Sequence, residues 1–285
     1  MNFLNLPFRL TDLNTVTALD RLQPKIGMKQ AVSLRDLQFI DPFGMMMLLS
    51  YIRYLSMVLD RVWVYLPRNE KVLQYLNRSG FLREIAPFAS LIPNHPISYL
   101  ERDEIWLIPV QVFREEDDVP ALVQLFIQSI QKLMQTEQQP LTRDQRLFCT
   151  LLSELCQNIP QHSRDRGYIA VQSYRGQTSR EIHIALADLG IGLRGSLSQN
   201  HPVQHWSEAE VLHFALQQGT SASNELGRGH GLANVVKSLQ PFQGKFYLRS
   251  GSGLLSIRQG KETYQDTNFF PGVQVGLVLK MNESV

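Results

Sequence analysis

A strand that ends in an aspartate and two spaced glycines constrains this chain more than any other feature. Residues 181–187, Glu-Ile-His-Ile-Ala-Leu-Ala, alternate between polar and apolar side chains, as a half-buried strand does. The strand runs directly into Asp188-Leu-Gly190-Ile-Gly192. Glycines at alternate positions let the backbone bend tightly and leave room beside it for a flat ligand. Because acidic turns with glycine are common, the motif by itself indicates a site only weakly.

A helix with one polar and one apolar stripe precedes that strand. The spacing predicts it over residues 143–163. Glu154, Asn158 and His162 recur every four residues, so they share one face, and an apolar stripe runs beside them. Such a helix lies half in a core and half against something polar. Taken alone, the polar stripe also fits an ordinary solvated face.

A glycine-rich segment follows later in the chain. Residues 220–226 are small and polar, and we expect this loop to move unless a ligand holds it. The sequence Gly227-Arg-Gly-His-Gly231 then enters a helix predicted over residues 232–239. Alternating glycines at a helix N-terminus expose N–H groups that can bind phosphate, and Arg228 would add a charge-assisted contact. By itself the segment fits a flexible glycine loop equally well.

Together the three segments resemble the motifs of the Bergerat-fold ATPases, the GHKL superfamily. This superfamily includes type II topoisomerases, heat-shock chaperones, mismatch-repair proteins, sensor histidine kinases and anti-sigma-factor kinases. Glu154-x-x-x-Asn158 is similar to its N box, Asp188-x-Gly190-x-Gly192 to its first glycine box, and Gly227-x-Gly229-x-Gly231-Leu232 to its second. The order and spacing also fit, as do a predicted hairpin over residues 244–258 and a final strand over 272–279. The resemblance covers residues 105–281 and implies an α/β sandwich whose mixed, largely antiparallel sheet is covered by helices.

The resemblance implies a role for each motif in binding Mg·ATP. Asn158 would bind Mg²⁺, which prefers oxygen ligands, and Glu154 would orient or deprotonate the attacking water or hydroxyl. Asp188 would accept a hydrogen bond from the adenine amino group, and Gly190 and Gly192 would let the backbone approach the base. The other implied nucleotide-binding residues wrap the phosphates or belong to the lid: Thr220, Gly227, Arg228, Gly229, His230, Gly231 and Leu232.

Two further patterns bear on this site. Pro160 lies inside the predicted helix and cannot donate to the carbonyl of Cys156, so we expect the helix to kink or end there. That expectation makes His162 the least secure member of the polar stripe. Three histidines spaced by four and eight residues are expected to lie at the surface rather than to form a metal site: His201, His205 and His213.

The first ninety residues predict a separate α/β domain. The expected elements are a strand over residues 32–40, a turn at 41–44, a helix over 45–59, a strand over 61–66 and a helix over 70–78. Gly80 is expected to end the last helix. Prolines at 87, 93 and 96 indicate a connection. We therefore predict domains at residues 1–90 and 105–285 with a linker at 91–104.

This order of elements resembles a STAS domain, the fold of anti-sigma-factor antagonists. The match rests on Phe39-Ile40-Asp41-x-x-Gly44, the helix and strand after it, and Leu76-x-x-x-Gly80-Phe81, and it covers residues 5–88. Family members that act as switches carry a phosphorylatable Ser or Thr just after the aspartate. Here those positions are Pro42 and Phe43, which have no hydroxyl, so the resemblance implies a docking or structural module. An unrelated α/β domain with the same element order is the alternative.

Composition and charge exclude several classes of partner. A net charge of +2 gives no electrostatic reason to expect nucleic acid or an acidic membrane surface as a partner. The most apolar run, residues 43–66, is interrupted by charged residues and is not expected to span a membrane. Cys149 and Cys156 lie about 10 Å apart along one predicted helix, too far for a disulfide. Reduced thiols and the lack of a signal-peptide pattern predict the cytoplasm.

These patterns predict a cytoplasmic, two-domain signalling protein that binds Mg·ATP and holds a protein partner. One alternative is a serine/threonine kinase that acts on a separate STAS protein. A second alternative is a nucleotide-sensing module without turnover. The sequence does not identify the partner, and it leaves a homodimer open.

Overall fold

A parallel sheet and an antiparallel sheet organise two separate units of the chain, Met1–Asp103 and Glu104–Val285. The computed structural model describes residues 2–22, 30–96, 106–176, 179–217, 231–239, 242 and 244–282. Both units combine strands and helices, so the expected α/β class is confirmed.

The first unit is built on parallel strands. Its elements are β1 (Asn2–Asn5), β2 (Arg9–Leu10), α1 (Asp12–Asp20), β3 (Gln30–Ser33), β4 (Phe39–Ile40), α2 (Pro42–Val58), β5 (Val62–Tyr65), α3 (Glu70–Arg78), α4 (Phe81–Ile85) and β6 (Ser90–Ile92). Four strands pair in the order β1-β3-β5-β6, and β2 pairs with β4. Helix α2 is the most apolar element, and every residue in its first half is buried. None of the helices in the described ranges, α2 included, has the length and apolar character needed to cross a bilayer.

Helix α2 begins earlier than the sequence predicted. Residues 41–44 are not a separate turn, because Asp41 is the N-cap and Pro42 is the first helical residue. The Asp41 carboxylate accepts hydrogen bonds from the N–H of Gly44 at 2.7 Å and from the N–H of Asp12 at 3.2 Å. Both Pro42 and Phe43 are buried in the first turn. The motif therefore starts a helix and holds it to α1.

The strand expected over residues 32–40 is wrong as a single element. Strand β3 ends at Ser33 and β4 begins at Phe39, with a loop between them. The N–H of Leu34 donates to Tyr65 O at 2.8 Å, and the N–H of Leu37 donates to Leu34 O at 3.0 Å. Both leucines are fully buried, so the apolar alternation arises from a packed loop. The helix at 70–78 is confirmed, and Gly80 follows it with a φ of 83°.

The second unit is built on a five-stranded sheet. Its elements are β7 (Trp106–Phe113), α5 (Asp118–Met134), α6 (Arg143–His162), β8 (Gly167–Arg175), β9 (Ser179–Ala187), α7 (Gly192–Leu197), α8 (Glu208–Ala215), α9 (Gly231–Leu239), β10 (Lys245–Arg258) and β11 (Lys261–Asn282). The strand order is β10-β11-β9-β8-β7, and each neighbouring pair is antiparallel. Helices α5, α6 and α9 share one hydrophobic core with the sheet.

One boundary in this unit differs from expectation. Residues 244–258 are not a hairpin, because β10 is one strand and the tight turn to β11 lies at Gln259–Gly260. Gly251 lies at a bulge in β10, where a Cβ atom would lie 2.9 Å from a carboxylate oxygen of Glu208. Helix α8, which carries Glu208, begins with a capping box between Ser207 and Glu210.

Candidate functional site

A cavity of about 710 Å³ lies in the second unit at the C-terminal half of α6. The rest of its wall comes from strands β9 and β11, the start of α5, helix α7, the end of α8 and the first turn of α9. Its volume is in the range of small-molecule sites. The polar side chains in the wall include Glu116, Glu154, Asn158, His162, Ser163, Asp188 and Asn234. The apolar part includes Leu155, Leu186, Leu232, Val273 and Val275.

Helix α6 brings Glu154 and Asn158 to this cavity. The helix starts with a capping box between Thr142 and Gln145, and its apolar stripe is buried in the core. Because the two polar residues lie one turn apart beside that stripe, both face the cavity and both are half-buried. The Asn158 amide donates to the Glu154 carbonyl at 2.8 Å. Asn158 Oδ1 has no hydrogen-bond donor among the described residues.

Pro160 does not end the helix, contrary to expectation. Helix α6 continues to His162, and the N–H of Ser163 still donates to Ile159 O at 2.8 Å. Since Pro160 lies in the last turn, it costs the helix only the bond to the Cys156 carbonyl. His162 consequently lines the cavity together with Glu154 and Asn158.

The backbone from Asp188 to Ile191 is fixed by the scaffold, since each of its N–H groups has a partner. Asp188 donates to Val273 O at 3.0 Å, and Leu189 donates to the carboxylate of Asp165 at 3.0 Å. Gly190 donates to Asp188 Oδ1 at 2.8 Å, and Ile191 donates to Ser163 O at 3.0 Å. Strand β11, the end of α6 and the loop after it therefore hold this turn in place.

The two glycines of the turn have different functions. Gly190 packs against the end of α6, where a Cβ atom would lie 1.9 Å from Ser163 O. Gly192 lines the cavity and has a φ of +67°, which a residue with a side chain adopts only with strain. The N–H of Leu193 next to it donates to Ser250 Oγ at 2.9 Å. Of the pair, Gly192 is the one that lines the cavity.

Asp188 is a buried carboxylate in the cavity wall. The residue is 1% exposed, and burial raises its pKa from 3.8 to about 6. Oδ1 accepts a hydrogen bond of 2.6 Å from Ser163 Oγ in addition to that from Gly190, and both bonds oppose the rise in pKa. The backbone N–H of Val273 is a further donor to the carboxylate and acts in the same direction. Because the carboxylate lines the cavity and carries several acceptor sites, it can also accept a hydrogen bond from a ligand.

Part of the predicted site lies outside the described residues. This applies to five residues of the glycine-rich segment: Thr220, Gly227, Arg228, Gly229 and His230. Gly231 is the first residue of α9, and Leu232 and Asn234 in its first turn line the cavity. The third segment therefore joins the other two at least through the start of α9.

Three residues of the site have no clear signal in the sequence. Ser163 is the C-cap of α6 and lines the cavity, but it does not follow the four-residue spacing of Glu154, Asn158 and His162. Gln274 lies in the middle of β11, fully buried, and its amide donates to Asp188 O at 3.1 Å and Pro271 O at 2.9 Å. Glu116 lines the cavity and belongs to an acidic run, residues 115–118, of the kind that commonly caps a helix. That cap exists as well, because the Asp118 carboxylate accepts hydrogen bonds from the N–H groups of Arg114 and Glu115, which lowers its pKa.

Histidines and cysteines form no second site in the described ranges. No group of three metal-ligating side chains occurs there. The ring of His201 packs edge-on against Phe214, with 5.0 Å between centroids, and His213 Nδ1 lies 3.1 Å from the Tyr264 hydroxyl. Both cysteines are free, as expected. Burial raises the pKa of the Cys156 thiol far above its usual range, so it is an unreactive core residue.

Comparison with known proteins gives no further assignment. No protein-family model matches the chain, and no curated protein matches it. The functional argument therefore depends on the cavity and its residues.

Proposed function

We propose that this chain is an ATP-binding regulatory protein of the GHKL type. Residues 105–285 would form a Bergerat-type domain, and binding or hydrolysis of Mg·ATP there would control the binding of a protein partner in signalling. The observation that carries this proposal is the buried Asp188 carboxylate, which lines the same cavity as Glu154 and Asn158. The order of these residues along the chain is the order of the N box and the first glycine box.

The environment of Asp188 supports recognition of adenine. A carboxylate oxygen accepts a hydrogen bond from an exocyclic amino group, and guanine carries a carbonyl at the corresponding position. Apolar side chains nearby, including Leu186, Val273 and Val275, suit the faces of a flat base. Asp188 must be ionised for this role, which requires a pH above its raised pKa.

The environment of Asn158 supports a magnesium site that is completed by phosphates. Mg²⁺ usually takes only one or two protein oxygens and completes its shell with water and phosphate. Asn158 Oδ1 is such an oxygen, and the bond from its amide to the Glu154 carbonyl holds it in orientation. Bound Mg²⁺ would neutralise phosphate charge.

Glu154 and α9 supply the remaining chemistry in this proposal. The Glu154 carboxylate lies one turn before Asn158 in the same wall, where it would orient water or a hydroxyl and accept its proton. Helix α9 begins at Gly231, its first turn lines the cavity, and the N–H groups of that turn would attract phosphate oxygens.

For the first unit we propose a STAS-like docking module. The parallel sheet and the Asp41-capped helix α2 support this proposal. Pro42 and Phe43 are buried and carry no hydroxyl, so a phosphorylation switch at the usual place is excluded. The module would bind a partner without being phosphorylated there.

Turnover is tested with Glu154→Ala. If the chain hydrolyses ATP, the variant should bind Mg·ATP with wild-type affinity and release phosphate at least about a hundredfold more slowly. Thr150→Ala is the matched control, because Thr150 lies on the same helix and its side chain bonds only to the Arg146 carbonyl. An unchanged rate of phosphate release would show that Glu154 is not the general base. Transfer of labelled phosphate to a co-purifying STAS protein would identify a kinase, and binding without phosphate release would identify a sensor.

A further inference from the structure

We propose that Ser163 is a positioning residue that fixes Asp188 for base recognition and ties it to the helix carrying Glu154 and Asn158. The inference rests on the proposed nucleotide site and names a residue that sets its specificity. Ser163 would act through Asp188 and would not touch the reacting atoms.

Ser163 joins two elements with two hydrogen bonds. It is the C-cap of α6 and is 5% exposed. Its hydroxyl donates to Asp188 Oδ1 at 2.6 Å, and its carbonyl accepts from the N–H of Ile191 at 3.0 Å. The bonds lie on either side of Gly190, whose missing Cβ makes room for the backbone of Ser163. The end of α6 and the turn after β9 are therefore held at a fixed separation.

The hydroxyl also sets the orientation of the carboxylate. Oδ1 accepts from the hydroxyl of Ser163 at 2.6 Å and from the N–H of Gly190 at 2.8 Å. Rotation of the carboxylate would break the bond from Ser163, so the hydroxyl holds the group in one orientation. In that orientation the carboxylate lies in the cavity wall, where a ligand can donate to it.

The same contact couples the two halves of the cavity. Glu154 lies about two and a half turns before Ser163 and Asn158 about one and a half turns before it, on one continuous helix. A shift of the helix end would move Asp188 through these bonds, so the base-binding carboxylate and the magnesium ligand keep a constant spacing. A ligand that fits both at once gains affinity from this preorganisation.

The proposal gives Ser163 an effect on the pH dependence of binding. The neighbours of the Asp188 carboxylate act in opposite directions: the hydroxyl of Ser163 and the N–H groups of Gly190 and Val273 lower its pKa, and the charge of Asp165 raises it. Removing the hydroxyl takes away the largest of the groups that lower the pKa. Ionisation of Asp188 then requires a higher pH, and so does binding of an amino-bearing base.

The test compares ATP with purine riboside triphosphate, which lacks the amino group, by calorimetry from about pH 5 to pH 8. We expect Ser163→Ala to weaken ATP binding about tenfold near pH 7, to reduce the preference for ATP and to move the pH midpoint upward by about one unit. Ser163→Thr keeps the hydroxyl and should restore both the preference and the midpoint. Ser56→Ala is the control, since it removes a serine hydrogen bond to the Arg53 carbonyl in the other unit.

The outcomes separate this inference from the proposed function. A wild-type chain that does not bind ATP would overturn both. A Ser163→Ala variant with the wild-type preference and midpoint would overturn only the role of Ser163. Equal losses in Ser163→Ala and Ser163→Thr, at an unchanged midpoint, would also overturn it, because they would show that the serine only fills space.

Discussion

The side-chain amide of Asn158 donates a hydrogen bond of 2.8 Å to the backbone carbonyl of Glu154, one turn earlier in α6. This bond holds the amide in one orientation and directs Oδ1 away from the helix backbone. The side chain of Glu154 lies in the same cavity wall. The cavity wall thus carries the amide oxygen of Asn158, a suitable ligand for Mg²⁺, and the carboxylate of Glu154, a suitable base for an attacking water.

Asn158→Ala should remove the magnesium-dependent part of ATP affinity. Loss of Oδ1 removes one metal ligand, and we expect affinity in the presence of Mg²⁺ to fall about tenfold to a hundredfold. Affinity for ATP without Mg²⁺ should change little. Calorimetric titrations with and without Mg²⁺ measure both values, and Thr150→Ala on the same helix serves as control. If Mg²⁺ increases the ATP affinity of the variant as much as that of the wild type, Asn158 is not a magnesium ligand.

Asp188→Asn should stabilise the ligand-free second unit while weakening ATP binding. Because the pKa of Asp188 rises from 3.8 to about 6 on folding, the folded state holds the proton more tightly. Its contribution to stability is full below about pH 4 and is lost as the pH rises through about 6. Above that pH the buried charge costs about 3 kcal/mol, from about 1.4 kcal/mol per pKa unit. Asparagine keeps the shape without the charge.

Urea unfolding at about pH 4 and pH 7 tests this prediction. The variant should exceed the wild type by about 1–3 kcal/mol at pH 7 and differ little at pH 4. The same variant should bind ATP at least about tenfold more weakly at pH 7, since the amide also offers N–H groups to the base. A variant less stable than the wild type at pH 7 would show that Asp188 is needed for the fold rather than for a ligand.

Gly190→Ala should destabilise the second unit. The new Cβ would lie 1.9 Å from Ser163 O and 2.2 Å from Ser163 Oγ, and that carbonyl is already bonded to Ile191. This clash can be relieved only if the turn at residues 188–191 and the end of α6 move apart, which should lower the free energy of unfolding by about 2–4 kcal/mol. Gly260→Asn is the control, because nothing lies within 4 Å of that position and Asn tolerates its φ of +72°. Equal unfolding midpoints for the two variants would contradict the close contact.

Asp41→Ala should destabilise the first unit. The carboxylate caps α2 through Gly44 and also holds Asp12, and it is 3% exposed. We expect a loss of about 1–3 kcal/mol, more than a solvated cap contributes. Asn69→Ala at the start of α3 is the matched control, since Asn69 caps its helix through the N–H of Lys71, donates to Gln38 and is more exposed than Asp41. A smaller effect at Asp41 than at Asn69 would contradict the assigned role.

Local signals in the sequence were sufficient for several elements. Helix α3 has the predicted bounds, and α6 extends over the predicted residues to within one position. In both, the apolar period and a capping residue indicate the same start. Glu154 and Asn158 could be chosen because helical spacing fixes which residues share a face.

Other features depend on contacts between distant residues, which a local pattern does not contain. Residues 244–258 were predicted to form a hairpin, but they are one strand, in which Glu208 of α8 packs against Gly251. Pro160 looked like the end of α6, but the last turn loses only one bond. The bonds that hold Asp188 come from Ser163 and Gln274, which are 25 and 86 residues away along the chain.

Titration of the wild-type chain with ATP and GTP, with and without Mg²⁺, tests the central claim most directly. We predict micromolar to sub-millimolar binding of ATP, stronger with Mg²⁺, lost as the pH falls through about 6, and at least about tenfold weaker for GTP. Saturation with ATP should also raise the unfolding temperature of the second unit. Absence of ATP binding at millimolar concentration, or equal affinity for ATP and GTP at every pH, would contradict the assignment of Asp188 and of this cavity.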